Sequence, residues 1–167
     1  NIAIYAIHTN LDNVINGVNK KIAERIGLIN LQILLPKKNT LTKLVTFVPK
    51  EHKEKVTASL HKAGAGQIGN YKNCSFSVNG EGAFMPTENS KPFKGLQGEL
   101  EKAEEVRVEV LLPSLLQGKV LSALRESHPY EEVAYYLTAL ENENQEVGAG
   151  LIGELFGPEE PKAFLDR

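Results

Sequence analysis

The sequence of 167 residues holds a single cysteine, Cys74. An internal disulfide or a cysteine-based metal cluster is therefore excluded, because each needs more than one thiol. A lone thiol suits a reducing compartment, and cytoplasm is the expectation. Long hydrophobic runs are also missing. The longest, such as Ile33-Leu34-Leu35, fall far short of the roughly 20 apolar residues that cross a bilayer. No secretory leader pattern is read at the start. Neither sign of charge is in excess: 19 basic and 21 acidic side chains leave a net charge of −2, which points to no nucleic-acid or membrane surface. An initiator methionine is lacking too. The chain enters an apolar run directly after Asn1, and residues 159–167 read as a helix that stops soon after it starts. Both ends lead us to expect an excerpt of a longer protein.

What is present is the material of a globular protein. Hydrophobic residues make up 41% and charged residues 24%, and the length suffices for one or two small domains with a real core. Residues 2–7 (IAIYAI) read as a short buried strand. Residues 13–26 read as a helix with an apolar stripe of Val14, Val18, Ile22 and Ile26, started by Asp12 and stopped by Gly27. Residues 31–35 read as a second strand, and the polar stretch Pro36-Lys37-Lys38-Asn39 marks a boundary.

The next hundred residues carry an internal echo. Pro49, Lys55, Val56 and Leu60 recur 64 positions later as Pro113, Lys119, Val120 and Leu124. In each copy a strand ends at a proline that opens a helix, where the missing N–H costs little. Further strands are read at 73–79 and 131–140, with a Gly/Pro-rich loop at 80–103 between the halves. Two βαβ halves predict a ferredoxin-like β-α-β-β-α-β unit. The fold class is thus α/β (α+β): a ferredoxin-like insert over 40–142, between incomplete pieces of an α/β main domain at 1–38 and 143–167. "LIGEL" (Leu151–Leu155) reads as a strand of the last piece.

Three constellations invite a chemical reading. His8 and Asp12 lie where a strand hands over to a helix, the edge at which α/β sheets bind ligands. Both side chains are competent ligands for divalent metals; equally, Asp12 can cap the helix and His8 can pack. A catalytic zinc takes three protein ligands, and no other segment supplies an obvious third. Two GxGxxG patterns, at Gly64-Gly66-Gly69 and Gly148-Gly150-Gly153, have the wrong context for a dinucleotide fingerprint. Gly64 is expected to stop a helix and the others to form sharp turns, so no cofactor-binding residue is assigned. A P-loop lysine-serine pattern is absent. His128-Pro129-Tyr130-Glu131-Glu132 sets a histidine beside carboxylates, either an acid–base group or a helix stop followed by a strand at an interface. Cys74 reads as a buried small hydrophobe in a strand. Glu99, Glu101, Glu104 and Glu105 read as a solvated face.

The longer motifs are more specific. "YAIHTNLDNVINGVNKKIAERIGL" (Tyr5–Leu28) resembles a signature segment of the Nif-three-like family, commonly labelled GTP cyclohydrolase 1 type 2 homologue. "GAGQIGNYKNCSFSVNGEGAFMP" (Gly64–Pro86) and "HPYEEVAYY" (His128–Tyr136) resemble that family's inserted domain, itself similar to PII and CutA proteins. "GAGLIGEL" (Gly148–Leu155) resembles the return into the main domain. The resemblance implies a site for two divalent metal ions per intact subunit, with zinc, iron and manganese not distinguished. Asp12 would be one ligand, with His8 near the metals. The resemblance implies that the other ligands, a histidine pair and a histidine–glutamate pair, lie outside residues 1–167. It further implies a metal-dependent hydrolase of a nucleotide or related compound and a ring-shaped homohexamer, with this segment inactive alone. The alternative is a regulatory or assembly protein whose insert binds a small molecule or mediates oligomerisation.

Overall fold

The structure is a computed structural model describing residues 2–166. In chain order its regular elements are helix α1 (Val18–Arg25), strand β1 (Leu28–Pro36), β2 (Leu41–Pro49), α2 (Lys53–Ala63), β3 (Phe76–Phe84), β4 (Glu101–Pro113), α3 (Gln117–Ser127), β5 (Tyr135–Leu140), β6 (Gly148–Leu155) and α4 (Pro161–Leu165). Short 3-10 turns lie at Asn10–Asn13, Lys50–His52 and Ser114–Leu116. The chain divides into two units: Asn1–Lys38 with Glu141–Arg167, and Asn39–Leu140. No helix among the described residues is long and apolar enough to cross a membrane.

The unit over Asn39–Leu140 has the ferredoxin-like order β2-α2-β3-β4-α3-β5. Its sheet is four-stranded and antiparallel, in the order β3-β4-β2-β5. Alternation along β4 explains why it folds so. Val106, Val108, Val110 and Leu112 point to one face and are buried, while Glu105, Arg107 and Glu109 point to the other. The buried row meets Leu44 and Val48 of β2, Val56 and Leu60 of α2, and Val120 and Leu124 of α3. The spacing of four within each helix places each pair on one stripe. Pro49 and Pro113 end their strands as expected, but each is followed by a 3-10 turn, so the α-helices begin only at Lys53 and Gln117 rather than at the prolines. Gly64 ends α2 in the left-handed region at φ 109°, its N–H returned to the last turn.

The sequence echo becomes a symmetry. Val45 of β2 is paired with Glu109 of β4, and Ser59 Oγ of α2 donates to the Ala123 carbonyl of α3 at 3.3 Å. Both pairs are 64 positions apart, the period of the echo. Residues made equivalent by a repeat touch one another only near a two-fold axis, so that axis runs between the two central strands and between the two helices.

In the other unit β1 and β6 form a two-stranded antiparallel sheet, with α1 beside it. Several expectations are corrected there. Residues 2–7 form no strand; Ile2 and Ile4 are 93% and 91% exposed. A strand needs a paired neighbour, and no described strand pairs with this run. The helix expected over 13–26 is confined to Val18–Arg25. Val14 instead forms a bridge with Val147, and the Ile15 amide donates to the Glu146 carbonyl at 2.9 Å, which draws 14–15 into extended pairing. Val18 and Ile22 of the expected stripe are exposed, and Ala23 is the buried residue of α1.

Further differences concern element boundaries, the second glycine pattern and Cys74. β3 runs on to Phe84 and pairs with β4 back to Glu101, which shortens the loop to residues 85–100. β5 starts only at Tyr135. Gly148, Gly150 and Gly153 lie within strand β6 rather than in turns. At Gly148 a side chain would strike the Leu35 carbonyl of the paired strand, so the residue type follows from close backbone approach. Cys74 lies in the loop before β3 and is part-exposed.

Candidate functional site

Asp12 lies in the 3-10 turn Asn10–Asn13 and is half-buried. Its backbone is pinned from both sides: its N–H donates to the Thr9 carbonyl at 3.2 Å, and its carbonyl accepts from Asn19 Nδ2 at 2.8 Å. Its carboxylate caps nothing. The N-cap of α1 is Gly17, without a side-chain cap, and Asp12 forms no ion pair with any described residue. The capping alternative therefore fails, and a braced carboxylate stays uncommitted. His8 is four residues earlier and exposed. No group of three or more potential metal ligands occurs among the described residues. In kind, carboxylate and imidazole suit a divalent metal; in number, two donors fall short of the three or more that hold one.

The two GxGxxG patterns do not form phosphate cradles. Gly64-Gly66-Gly69 follows α2, and Gly148-Gly150-Gly153 is a strand. Neither opens a helix, as a dinucleotide fingerprint must.

The His128–Glu132 segment resolves in favour of structure. His128 is 7% exposed. Its Nδ1 accepts the Tyr130 N–H at 3.1 Å, which leaves Nε2–H to donate to the Phe47 carbonyl at 2.9 Å. Burial lowers its pKa below the ordinary value, against the upward pull of the Phe47 carbonyl and Glu105. A neutral imidazole with both nitrogens engaged holds the turn after α3 against β2, and has no free nitrogen for proton transfer. Beside it, Tyr130 packs edge-on at 5.0 Å and also meets Phe93 at 5.9 Å and Phe84 at 6.0 Å. Burial first, and then Glu105, raise the Tyr130 phenol well above its usual range. The hydroxyl itself is buried without a hydrogen bond of sound geometry.

These aromatics belong to a cavity of about 640 Å³ on the sheet face away from the helices. Its floor follows from strand register. Val78 is paired with Arg107 and Gly80 with Glu105, while Phe47 flanks Arg107 from β2. Alternate residues share a face, so β3 presents Val78, Gly80, Gly82 and Phe84 there. The two glycines leave a trough of bare backbone into which Glu105 leans, over Gly82. One wall is the 85–100 loop. Phe93 fastens it to Tyr130 and to His52, the latter at 5.6 Å, and the Lys91 N–H donates to Glu131 at 2.7 Å. Glu105 was expected on a solvated face; it is half-buried in this cavity instead. Phe47, Phe84 and Phe93 were not singled out from the sequence at all. The available signal was Asn79-Gly80-Glu81-Gly82, two glycines on the same face of one strand.

A four-stranded ferredoxin-like unit, set in sequence between the two segments of a second unit with a braced aspartate turn, defines an α+β protein with an inserted domain. The family model described as Duf34/NIF3 (NGG1p interacting factor 3) matches residues 1–167. The chain belongs to that family. It is 46% identical over 155 residues to "GTP cyclohydrolase 1 type 2 homolog" of Bacillus subtilis (strain 168), covering 92% of this chain and 42% of the relative. The Mycobacterium leprae (strain TN) protein of the same name is 41% identical over 167 residues, covering 99% and 43%. Among solved structures, the Bacillus cereus protein related to NIF3 overlays with a TM-score of 0.84 at 44% identity, covering 99% of this chain and 43% of its own. The chain thus spans less than half the length of the curated relatives it matches.

Proposed function

We propose that this chain is part of a metal-dependent hydrolase acting on a nucleotide or related compound, in which Asp12 is a ligand to one of two divalent ions. The observation that carries the reading is the Asp12 carboxylate, half-buried and backbone-braced yet bound to no described residue. The name carried by the relatives, a GTP cyclohydrolase homolog, supports the substrate class. His8 is a weaker candidate for the same centre, being exposed. Two bound metal ions of this kind would polarise substrate and lower the pKa of a bound water. This chain's own part is to hold Asp12 in place through Asn19 and the Thr9 carbonyl. The remaining donors must come from residues other than those described. Working in a full-length protein that contains this segment, we expect bound divalent metal by elemental analysis and about tenfold or greater loss of affinity in Asp12→Ala. A metal-free wild type, or a variant with unchanged metal content, would sink the reading.

A second reading concerns Asn39–Leu140: a binding or assembly module in a cytoplasmic homohexamer. It is favoured by the cavity and by the apolar residues that stay exposed around it, Phe76, Val78, Met85, Phe93 and Tyr136. Sedimentation of the full-length protein tests the assembly part, with a monomer as the adverse result.

A further inference from the structure

The cavity of Asn39–Leu140 has a chemical bias. Its walls are aromatic: Phe47, Phe84, Phe93, Tyr130 and Tyr136. Its volume of about 640 Å³ falls within the roughly 300–1,000 Å³ of small-molecule sites. Most of its charges are spent, apart from Glu105 and the exposed Glu132, which forms no ion pair among the described residues. Arg107 bonds Glu109 at 2.7 Å, Lys94 pairs with Glu101 at 3.4 Å, and Glu81 with Lys102 at 2.8 Å. Glu131 accepts the Lys91 N–H. Glu105, half-buried on the floor, has no cationic partner among the described residues. The Tyr130 hydroxyl lies beside it without a hydrogen bond of sound geometry, and a phenol brings no positive charge. A half-buried carboxylate without a counter-charge offers a charge-assisted bond to a ligand that supplies one. Aromatic faces around it attract cations further. A metal ion is a poor candidate, because no three potential ligands converge among the described residues.

From this we infer that the cavity binds a small organic cation, with an ammonium group against Glu105 and an apolar body against Phe84, Phe93 and Tyr136. The inference rests on the second reading above, that Asn39–Leu140 contains a ligand site, and adds the ligand's chemical class. Charge complementarity selects a cation over a neutral or anionic body of the same shape. The trough at Gly80 gives the body its room, since a side chain there would meet no protein atom and would project into the open space.

The test is a titration of the isotope-labelled 167-residue chain, followed by amide chemical shifts, with three probes of one shape: phenethylammonium, phenethyl alcohol and phenylpropionate. Sedimentation is measured in parallel. Saturable shifts at Gly80, Gly82, Phe93 and Tyr130 are expected, with phenethylammonium bound at about 1 mM or tighter and several-fold better than the alcohol. Glu105→Gln keeps the shape and removes the charge. It should weaken the cation about tenfold and leave the alcohol unchanged. Gly80→Val should abolish both, with the remaining amide spectrum of the fold preserved. Equal affinity for all three probes, or an indifferent Glu105→Gln, overturns the cation assignment while leaving a ligand site in place. No saturable shift from any probe overturns both, including the case in which sedimentation shows a second copy covering the face.

Discussion

Replacing His128 with leucine separates an acid–base residue from a structural one. The change keeps an apolar side chain of similar bulk in a 7% exposed position and deletes both ring nitrogens. The Phe47 carbonyl loses its 2.9 Å donor and the Tyr130 N–H its 3.1 Å acceptor. A buried polar group left unpaired costs about 1–3 kcal/mol, and the edge contact with Tyr130 adds about 0.5–1 kcal/mol. Leucine recovers part of this through burial, so the net loss should be about 3 kcal/mol. In a urea titration followed by far-UV circular dichroism, that shifts the midpoint down by about 1.5–2 M, with the slope unchanged. A second measurement uses pH. The folded-state pKa of His128 lies below its ordinary 6.5, mainly through burial, so the unfolded chain binds the proton more readily. Its contribution is therefore complete above the ordinary value and is lost as pH falls below it. Wild type should lose stability between about pH 7.5 and 5.5 more steeply than the leucine variant does. A stability loss under about 0.5 kcal/mol, with identical pH slopes, would refute the structural assignment and return the motif to catalysis.

Two further outcomes follow from packing. Leu60→Ala removes a fully buried side chain beside Leu44, Val56 and Leu124, and should cost about 2–5 kcal/mol in the same titration. At Gly17 a side chain would collide with the backbone carbonyl of Leu11, which cannot yield as a flexible side chain could. Gly17→Ala should therefore speed hydrogen exchange of the Ile15 amide, now bonded to the Glu146 carbonyl, while leaving β2 and β4 protected; unchanged exchange at Ile15 would count against the collision.

The ferredoxin-like unit could be read from the chain because its signals are local and doubled. Pro49 and Pro113 end strands wherever the chain goes, and Val56, Leu60, Val120 and Leu124 hold helical spacing. The residues before Val18 could not. IAIYAI has the composition of a strand, but a strand exists only when a partner edge bonds it, and composition carries no record of partners. Val14 fits a helical stripe equally well, yet its bridge to Val147 takes it out of the helix. Asp12 stands out in the sequence as part of His8-Thr9-Asn10-Leu11-Asp12. That it caps nothing is decided by the fold, which starts the helix only after Gly17. Glu105 was misread because four glutamates in seven positions suggest solvent, while β4 alternation turns Glu105 into a cavity with Gly80 and Gly82 beneath it.

Propensity and periodicity act over a few residues. They suffice for the two βαβ halves, their 64-residue period and the glycine that stops α2. The axis joining Val45 to Glu109 and Ser59 to Ala123, the two bonds that engage His128, and the placing of the half-buried Glu105 carboxylate in an aromatic cavity depend on contacts far apart in the chain. Those contacts form only when strand register sets which side chains share a face. For that reason the fold of this segment is written locally, while the bias of its cavity toward positive charge is a property of the folded chain alone.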